Sequence, residues 1–397
     1  MKIALPYGRQ VIEDDDIAAV ADALRGELLT TGPRVGEFER ALAEATGATH
    51  AIACNNGTAA LHLAARALNL GPGTTTIVPA ITFLATANAV RLNGGDVVFA
   101  DGDPDSGLMR TSDLAGALAR CPNRTANAVF NVHLAGQCGD LVAIHALARR
   151  HGLRIVEDAC HAIGTAYHGN RRVGDNSFAD LTCFSFHPVK TIAMGEGGAL
   201  TTNDAALAGI IARDRNHGVS RDPAAFTQSD EAFDDAGQAH PWYYEMEWPG
   251  LNYRIPDILC ALGLSQLKKL PRFAARRREL VAAYDAALAP FAPLVKTIAR
   301  TPNVEPAWHL CIALIDFKAL RSDRASVMRR LAAQGIGTQV HYIPVYRQPY
   351  YRELNPDLIL PGADEYYRRT LSLPLFPSMS DDDPARVVRA LAETLGL

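Results

Sequence analysis

The sequence predicts an α/β fold in which helices cover both faces of a mixed, mostly parallel sheet. Short apolar runs with strand character alternate with helix-period segments between residues 48 and 212. Alternation of this kind is typical of sheets whose strands are joined by helical crossovers. The strand-like runs are 51–54, 76–78, 96–100, 128–132, 154–157, 181–186 and 198–201, and the helix-period segments include 58–68, 83–92 and 141–151.

A second unit follows after a break in this pattern. Residues 221–250 are rich in acids and aromatic residues and predict a long excursion, either a flexible lid or part of a subunit interface. A basic helix near 265–290 comes next, and its cluster of Lys268, Lys269 and residues 276–278 is expected on a solvated face. A strand at 311–316, a helix at 326–334 and a strand at 337–342 complete the unit. We expect a large domain at 1–265 and a smaller C-terminal α+β domain at 266–397, with the N-terminal arm packed beside it.

Composition and charge exclude several classes of protein. The 397 residues carry a net charge of −4, so no overall field favours nucleic acid or an anionic membrane. No uninterrupted apolar run reaches the ~18 residues that a membrane span needs, and the N-terminus does not have the pattern of a signal peptide. The seven cysteines are scattered and never form a C-x-x-C pair, which argues against a disulfide framework or a structural zinc site. We therefore expect a cytoplasmic protein.

Lys190 ends the segment Phe-Ser-Phe-His-Pro-Val-Lys, and a Gly-Glu-Gly-Gly turn follows at 195–198. A buried lysine loses the solvation of its charge, so the neutral amine that attacks aldehydes becomes accessible. A lysine after a strand is more often an ordinary surface residue. The catalytic interpretation of Lys190 therefore depends on the motifs around it.

Asp158 closes the strand-like run 154–157, and His161 follows three residues later. Ligands of parallel sheets gather at the carboxyl ends of the strands. A carboxylate there is what pyridoxal phosphate needs against its pyridine nitrogen. The alternatives are a helix N-cap for Asp158 and a buried structural histidine for His161.

Gly57 and Thr58 open a helix directly after a strand, and a helix N-terminus with a hydroxyl is suited to a phosphate. Ser185 could add a second hydroxyl from a neighbouring strand end. Phe83 follows another strand end and could stack on an aromatic cofactor. An ordinary capped helix start and a core aromatic are the alternatives.

Taken in order, these motifs resemble the DegT/DnrJ-type nucleotide-sugar aminotransferases of pyridoxal-phosphate fold type I. The likeness covers nearly the whole chain and includes Leu-Thr-Thr-Gly-Pro at 29–33, Asn-His-Gly at 216–218, Asn-Tyr-Arg at 252–254 and Gln-Val-His-Tyr-Ile-Pro at 339–344. Pro-Tyr-Gly-Arg-Gln at 6–10, the His-Pro-Val-Lys form of the lysine motif and residues 263–269 are most similar to the members that serve pseudaminic acid biosynthesis. The resemblance implies an aspartate-aminotransferase-like large domain.

The resemblance also implies roles around the cofactor. Lys190 would be the Schiff-base lysine, Asp158 would lie under the pyridine nitrogen, and His161 would lie near the phenolic oxygen. Phe83 would stack on the ring. The residues implied for the phosphate are Gly57, Thr58 and Ser185, together with Asn252 from the other subunit. The active unit would then be a homodimer with shared sites. The residues implied for the nucleotide sugar are Tyr7, Glu27, Thr30, His341 and Tyr342.

The implied activity is a ping-pong transamination from glutamate to the 4-keto group of a UDP-linked 6-deoxy-N-acetylhexosamine. Another nucleotide 4-keto sugar is the nearest alternative. Sugar dehydratases that resemble this family have lost the Schiff-base lysine, whereas this chain has Lys190 at that position. A non-catalytic regulator that binds the cofactor or a sugar would not need this lysine. A metal enzyme using His133, His161 and His187 lacks a recognisable ligand spacing. We therefore expect no metal.

Overall fold

The computed structural model describes residues 3–397, apart from the side chain of Arg124. In chain order the strands are β1 (His50–Cys54), β2 (Thr75–Pro79), β3 (Asp96–Ala100), β4 (Ala128–Val132), β5 (Arg154–Asp158), β6 (Ala166–Tyr167), β7 (Arg171–Arg172), β8 (Leu181–Ser185), β9 (Gly198–Thr202), β10 (Val219–Ser220), β11 (Glu245–Met246), β12 (Val295–Thr297), β13 (Val304–Glu305), β14 (Cys311–Ile315) and β15 (Thr370–Leu373). The central sheet has the order β1-β9-β8-β5-β4-β2-β3. Only the pairs that include β9 are antiparallel. The predicted mixed, mostly parallel sheet is confirmed.

The helices are α1 (Asp14–Arg25), α2 (Pro33–Thr46), α3 (Gly57–Ala67), α4 (Leu84–Leu92), α5 (Thr111–Arg120), α6 (Leu141–Arg150), α7 (Ala205–Asp214), α8 (Ser229–Ala232), α9 (Asp257–Leu288), α10 (Arg324–Ala333), α11 (Pro349–Leu354), α12 (Pro361–Arg369) and α13 (Asp383–Leu395). Helices α2 to α7 pack against the central sheet, whereas α10, α12 and α13 pack in the second unit. Successive side chains of a strand point to opposite faces. On β5, Ile155 packs in one apolar cluster and Val156 in another, so both faces are buried.

A smaller antiparallel sheet follows α9, with the order β12-β14-β15. The prediction of a strand at 337–342 is wrong. Only isolated bridges occur there, from Ile336 to Leu5 and from Gln339 to Ser372. The apolar alternation of this segment has a different cause, because His341 and Tyr342 turn their side chains into a cavity rather than along a sheet face.

The predicted domain boundary at 265/266 falls inside α9, and it remains a proposal. The first half of α9 packs against α1 and α2, and its second half packs against α13 and β12. The expectation of a wholly solvated basic face is wrong for two residues. Lys269 is buried among the carboxylates of α1, and Arg277 is completely buried. The oxygen atoms that contact these two side chains take the place of water around their charges, and this permits their burial.

The N-terminal arm packs against the segments around residues 337 and 375. The amide of Gly337 donates to the carbonyl of Leu5 at 2.7 Å, and the amide of Leu375 donates to the carbonyl of Tyr7 at 3.1 Å. These bonds fix Tyr7 beside His341, with ring centroids 5.4 Å apart. The arm therefore positions one of the predicted substrate residues.

The excursion at 221–250 contains the short helix α8 and the strand β11, which pairs with β10. Trp242 is 70% exposed and Met246 60% exposed, so this segment presents large apolar side chains on its surface. All seven cysteines are free thiols. In the part of the chain that the structure describes, no helix is both long enough and apolar enough to cross a bilayer.

Candidate active site

A cavity of about 840 Å³ opens at the carboxyl ends of the parallel strands. Most of the predicted site residues line it, although they come from widely separated parts of the chain. The predicted residues in its wall are Tyr7, Gly57, Thr58, Phe83, Asp158, His161, Ser185, Lys190, His341 and Tyr342. A cavity of this size can hold a cofactor together with a sugar-sized ligand.

Asp158 is the last residue of β5 and is 5% exposed. Its Oδ2 accepts a hydrogen bond from the hydroxyl of Thr86 at 2.6 Å, and its Oδ1 accepts one from the amide of Cys160 at 3.2 Å. Its backbone carbonyl accepts from the amide of His133 at 3.0 Å, which anchors the strand end. Asp158 is therefore a buried carboxylate of fixed orientation in the cavity wall, and it does not cap a helix.

Lys190 lies in the turn after β8, where its backbone amide donates to the carbonyl of His187 at 2.8 Å. Burial lowers the pKa of its amine, and the nearby Cys160 and Asp158 oppose that shift. A lowered pKa makes the neutral, nucleophilic amine available closer to neutrality.

His161 and Tyr342 form a hydrogen-bonded pair in the cavity, with 3.1 Å between Nε2 and the hydroxyl oxygen. Nδ1 of His161 accepts a weak hydrogen bond from the amide of Ala135 at 3.4 Å. A neutral imidazole whose Nδ1 accepts carries its proton on Nε2. His161 therefore donates to Tyr342, and the hydroxyl proton of Tyr342 is left for another acceptor.

Two further buried histidines lie beside this pair. The ring of His309 lies 4.4 Å from that of His161, and the ring of His341 lies 6.5 Å away. Burial lowers the pKa of His161 and His309 well below the ordinary value and lowers that of His341 to about 3. The positive charge of Lys190 acts in the same direction on all three. Uncharged imidazoles therefore line this part of the cavity.

The turn between β1 and α3 has the geometry of an anion site. Asn56 caps α3 by accepting from the amide of Ala59 at 2.8 Å, so the first amides of the helix, at Gly57 and Thr58, have no partner within the helix. A Cβ on Gly57 would lie 2.7 Å from the Cβ of Ser185. One on Gly198 would lie 2.2 Å from the carbonyl oxygen of Asn56. Both glycines are needed for this close approach.

Phe83 forms an apolar wall on the other side of the cavity. It is the residue before α4 and is 55% exposed, which is unusual for a phenylalanine beside a large core. Its ring centroid lies 6.0 Å from that of Tyr342. An exposed aromatic face of this kind is available for stacking on a planar ligand.

Three predicted residues do not line this cavity. Asn252 is exposed, and its backbone forms an isolated bridge with Asn216. Glu27 and Thr30 are also exposed, and Thr30 is bridged to Pro256, four residues after Asn252. A ligand bound in the chain's own cavity therefore does not contact these three residues, and any ligand that they bind lies outside that cavity.

The histidines considered for a metal site are not brought together. His133 is buried beside Glu157, 3.3 Å from its carboxylate, whereas His187 is exposed. Over residues 3–397, the one group with metal-ligand spacing is Glu13, Asp15 and Asp16. The ammonium of Lys269 already lies between 2.5 and 3.1 Å from these three carboxylates.

The sequence motifs missed several residues of the cavity wall, including Glu196, Tyr253 and His309. Nothing in the local sequence around His309 indicates that its ring reaches His161, because the two meet only through the fold. The scarcity of lysine also singles out Lys190. The chain has only six lysines, and Lys190 is the only one between residues 3 and 267.

Comparison with known proteins identifies the family. Residues 10–392 match the model of the DegT/DnrJ/EryC1/StrS aminotransferase family. The chain belongs to this family. It is 39% identical over 392 residues to the spore coat polysaccharide biosynthesis protein SpsC of Bacillus subtilis (strain 168), covering 98% of this chain and 96% of that protein.

Solved structures of aminotransferases have the same fold. Helicobacter pylori PseC, an aminotransferase involved in the biosynthesis of pseudoaminic acid, superposes with a TM-score of 0.88 at 28% identity over 99% of both chains. The PMP-form of the putative sugar aminotransferase Spr1654 from Streptococcus pneumoniae gives a TM-score of 0.87 at 28% identity, also over 99% of both chains. The chain is thus a sugar aminotransferase of fold type I that depends on pyridoxal phosphate.

Proposed function

We propose that this aminotransferase transfers an amino group from L-glutamate to C4 of a UDP-4-keto-6-deoxy-N-acetylhexosamine, in pseudaminic acid biosynthesis. The observation that carries the proposal is the end-to-end similarity to PseC, whose own role is in pseudoaminic acid biosynthesis. The cavity described above has room for a cofactor and a sugar together.

A second candidate is an aminotransferase for another nucleotide 4-keto sugar. The 39% identity to SpsC exceeds the 28% identity to PseC, and SpsC serves spore coat polysaccharide biosynthesis. The two candidates share the same chemistry at C4 and differ only in the sugar and the nucleotide that the cavity accepts.

The residues present fit pyridoxal phosphate. A phosphate would find hydrogen-bond donors in the free amides at the start of α3 and in the hydroxyl of Ser185. The missing side chain of Gly57 leaves the space for it. Thr58 adds a second hydroxyl, and Phe83 offers a flat face for the ring. When bound, the cofactor would supply an aldehyde carbon that takes up the amino group from the donor, and a ring that delocalises negative charge.

Each polar side chain then has a distinct task. The amine of Lys190 would hold the cofactor and, when free, would be the group placed to move a proton to or from the substrate carbon. The carboxylate of Asp158 would hold the pyridine nitrogen in its protonated form. His161 would act on the phenolic oxygen side through Tyr342, to which it donates its Nε2 proton.

The nucleotide sugar is bound by two groups of residues in this proposal. Tyr7, His341 and Tyr342 line the chain's own cavity. Glu27 and Thr30 lie outside it at exposed positions, and Thr30 is bridged to Pro256, four residues after the exposed Asn252. We assign those two to the site of a second subunit, in which Asn252 also reaches the phosphate. The active unit is then a homodimer with shared sites.

The decisive experiment offers the purified enzyme a panel of nucleotide sugars. UDP-4-keto-6-deoxy sugars of the AltNAc and GlcNAc configurations and dTDP-4-keto-6-deoxyglucose are each incubated with ¹⁵N-labelled glutamate, and the products are identified by mass and NMR. Labelled 4-amino product from the AltNAc-configured substrate, at the highest kcat/KM, is the expected result. Preference for the dTDP sugar by tenfold or more would reject this proposal in favour of the second candidate. Glutamine or another amino acid as the better labelled donor would reject glutamate.

A further inference from the structure

A chain of two buried hydroxyls leads to the carboxylate of Asp158. The oxygen of Thr86 lies 2.6 Å from Oδ2 of Asp158, and the oxygen of Thr82 lies 2.7 Å from that of Thr86. Thr86 is completely buried and Thr82 is 2% exposed. Water is therefore excluded from both hydrogen bonds.

The geometry fixes the direction of these hydrogen bonds. An ionised carboxylate only accepts, so the single proton of Thr86 is donated to Asp158. The oxygen of Thr86 then accepts the proton of Thr82. Hydrogen bonds to charged acceptors are shorter and stronger than neutral ones, and the 2.6 Å distance agrees with this direction.

The same turn also carries the aromatic wall of the cavity. Phe83 lies between the two threonines, and the amide of Thr86 donates to its carbonyl at 3.2 Å. Because Thr86 bonds Asp158 while Phe83 lines the cavity, one turn sets the position of both. The N-terminus of α4 also directs the positive end of its dipole toward this region, where an anion is favoured.

We propose that Thr86 is a positioning residue, supported by Thr82, which holds the Asp158 carboxylate in the orientation that engages the pyridine nitrogen of the cofactor. The remaining anchor of the carboxylate is the longer bond from the Cys160 amide at 3.2 Å. Without the Thr86 donor, the carboxylate can rotate about its Cα–Cβ bond toward other partners. The inference rests on the proposed role of Asp158.

The test compares variants that remove or retain the hydroxyl. Thr86→Val keeps the branched shape and removes the donor, whereas Thr86→Ser keeps the donor. Thr82→Val leaves the Thr86 bond in place but removes its support. Thr76→Val is the matched control, because Thr76 is also completely buried, lies on β2 of the same sheet, and has a hydroxyl without a partner.

The readout is the ¹⁵N NMR shift of ¹⁵N-labelled pyridoxal phosphate bound to each holoenzyme, which reports protonation of the pyridine nitrogen. We expect a fully protonated nitrogen in the wild type, Thr86→Ser and Thr76→Val, and partial loss of protonation in Thr86→Val. Thr82→Val should show a smaller loss. We expect kcat to fall by about 10- to 100-fold in Thr86→Val, as for loss of one hydrogen bond to a charged group, with KM for the sugar little changed.

Asp158→Asn separates the two ways in which the inference can fail. Loss of protonation in Asp158→Asn with an unchanged shift in Thr86→Val overturns the role of Thr86 alone. An unchanged shift in Asp158→Asn overturns the role of Asp158 itself, and the inference with it. If Thr86→Val does not fold, Thr86→Ala removes the same donor with a smaller side chain, and the same outcomes decide.

Discussion

The hydroxyl of Tyr342 and Nε2 of His161 lie 3.1 Å apart, and neither group carries a charge. Burial raises the pKa of Tyr342 well above 10 and lowers the pKa of His161 well below 6.5. Because the imidazole of His161 donates to the hydroxyl oxygen of Tyr342, the hydroxyl proton of Tyr342 is available to a ligand in the cavity. The pair therefore offers the ligand an uncharged hydrogen-bond donor, the hydroxyl of Tyr342.

Tyr342→Phe removes this donor and leaves the Nε2 proton of His161 without an acceptor. We expect kcat for transamination to fall by about 100-fold, the lower end of the usual range for loss of a positioned proton donor, while cofactor content is retained. Steady-state kinetics and the visible spectrum of the purified enzyme measure the two effects. Tyr351→Phe is the control, since its buried hydroxyl bonds Asn88 away from the cavity. An equal loss in both variants would contradict a specific role for Tyr342.

Arg277 is a second buried polar group, and its role can be tested by measuring the free energy of unfolding. Its guanidinium is completely buried and donates to the carbonyls of Trp308, His309 and Leu375 at 3.4, 3.2 and 3.0 Å, and within residues 3–397 Arg277 forms no salt bridge. Burial lowers its pKa to about 10. The residue thus joins α9 to the segment that carries His309.

Arg277→Met should destabilise the protein by about 2–4 kcal/mol, because the carbonyls lose their donor inside the protein. Arg278→Met, which removes a partly exposed arginine one position along, should cost less than about 1 kcal/mol. Urea unfolding of both variants at one pH measures the difference. A stabilised Arg277→Met would mean that the desolvation cost of the guanidinium exceeds the value of its hydrogen bonds.

Much of the fold and of the site could be predicted because local patterns encode them. The strands that end at Asp158 and before Lys190 are short apolar runs, and the sheet brings their carboxyl ends together. The roles of Lys269 and Arg277 could not be predicted, since their burial depends on carboxylates and carbonyls that are distant in sequence. The position of His309 against His161 has the same origin. Local periodicity carries no information about such contacts.

Lys190 should capture the cofactor at a lower pH than an ordinary lysine. Burial lowers its pKa, so the neutral fraction of the amine increases from a lower pH than that of a free lysine, whose pKa is about 10.4. We expect the rate at which apoenzyme binds pyridoxal phosphate covalently, followed by visible absorbance, to reach half its maximum clearly below that pH. Borohydride reduction should then fix the cofactor to the peptide that contains Lys190, and Lys268→Ala should behave as wild type. Attachment of the cofactor to another lysine would reject Lys190.

The buried histidines should make stability depend on pH in a defined direction. The pKa of His341 is about 3, and those of His161 and His309 are also lowered, against about 6.5 in the unfolded chain. Below pH 6.5 the unfolded state binds protons that the folded state does not, so stability is complete above that pH and falls as the pH decreases toward 3. The slope is at most about 1.4 kcal/mol per pH unit for each histidine.

Urea unfolding of the apoenzyme at pH 7.5 and pH 5.5 measures this effect. We expect the wild type to be less stable at pH 5.5, and His309→Gln to show a smaller difference between the two pH values. His151→Gln is the control, because His151 is exposed and ends α6 far from the cavity. If His151→Gln reduced the difference as much as His309→Gln, the buried histidines would not be its source.

Sharing of sites between subunits can be tested by complementation between two inactive variants. Lys190→Ala removes a group of the chain's own cavity, and Asn252→Ala removes an exposed residue that we assign to the neighbouring cavity. In a mixed two-fold dimer, one site then carries both lesions and the other carries neither. After equal mixing and complete exchange, half of the dimers are mixed, so about a quarter of the wild-type activity should return.

The matched control mixes Lys190→Ala with Asp158→Ala, since both residues line the same chain's cavity and every site in the mixed dimer keeps one lesion. That mixture should stay inactive. Exchange is verified with two affinity tags, and thermal melts of the single variants confirm that each is folded. Asn252 serving its own chain predicts no recovery in either mixture, because each site again keeps one lesion. Recovery confined to the Asn252 mixture, in folded and exchanged protein, therefore requires that Asn252 acts across the subunit boundary.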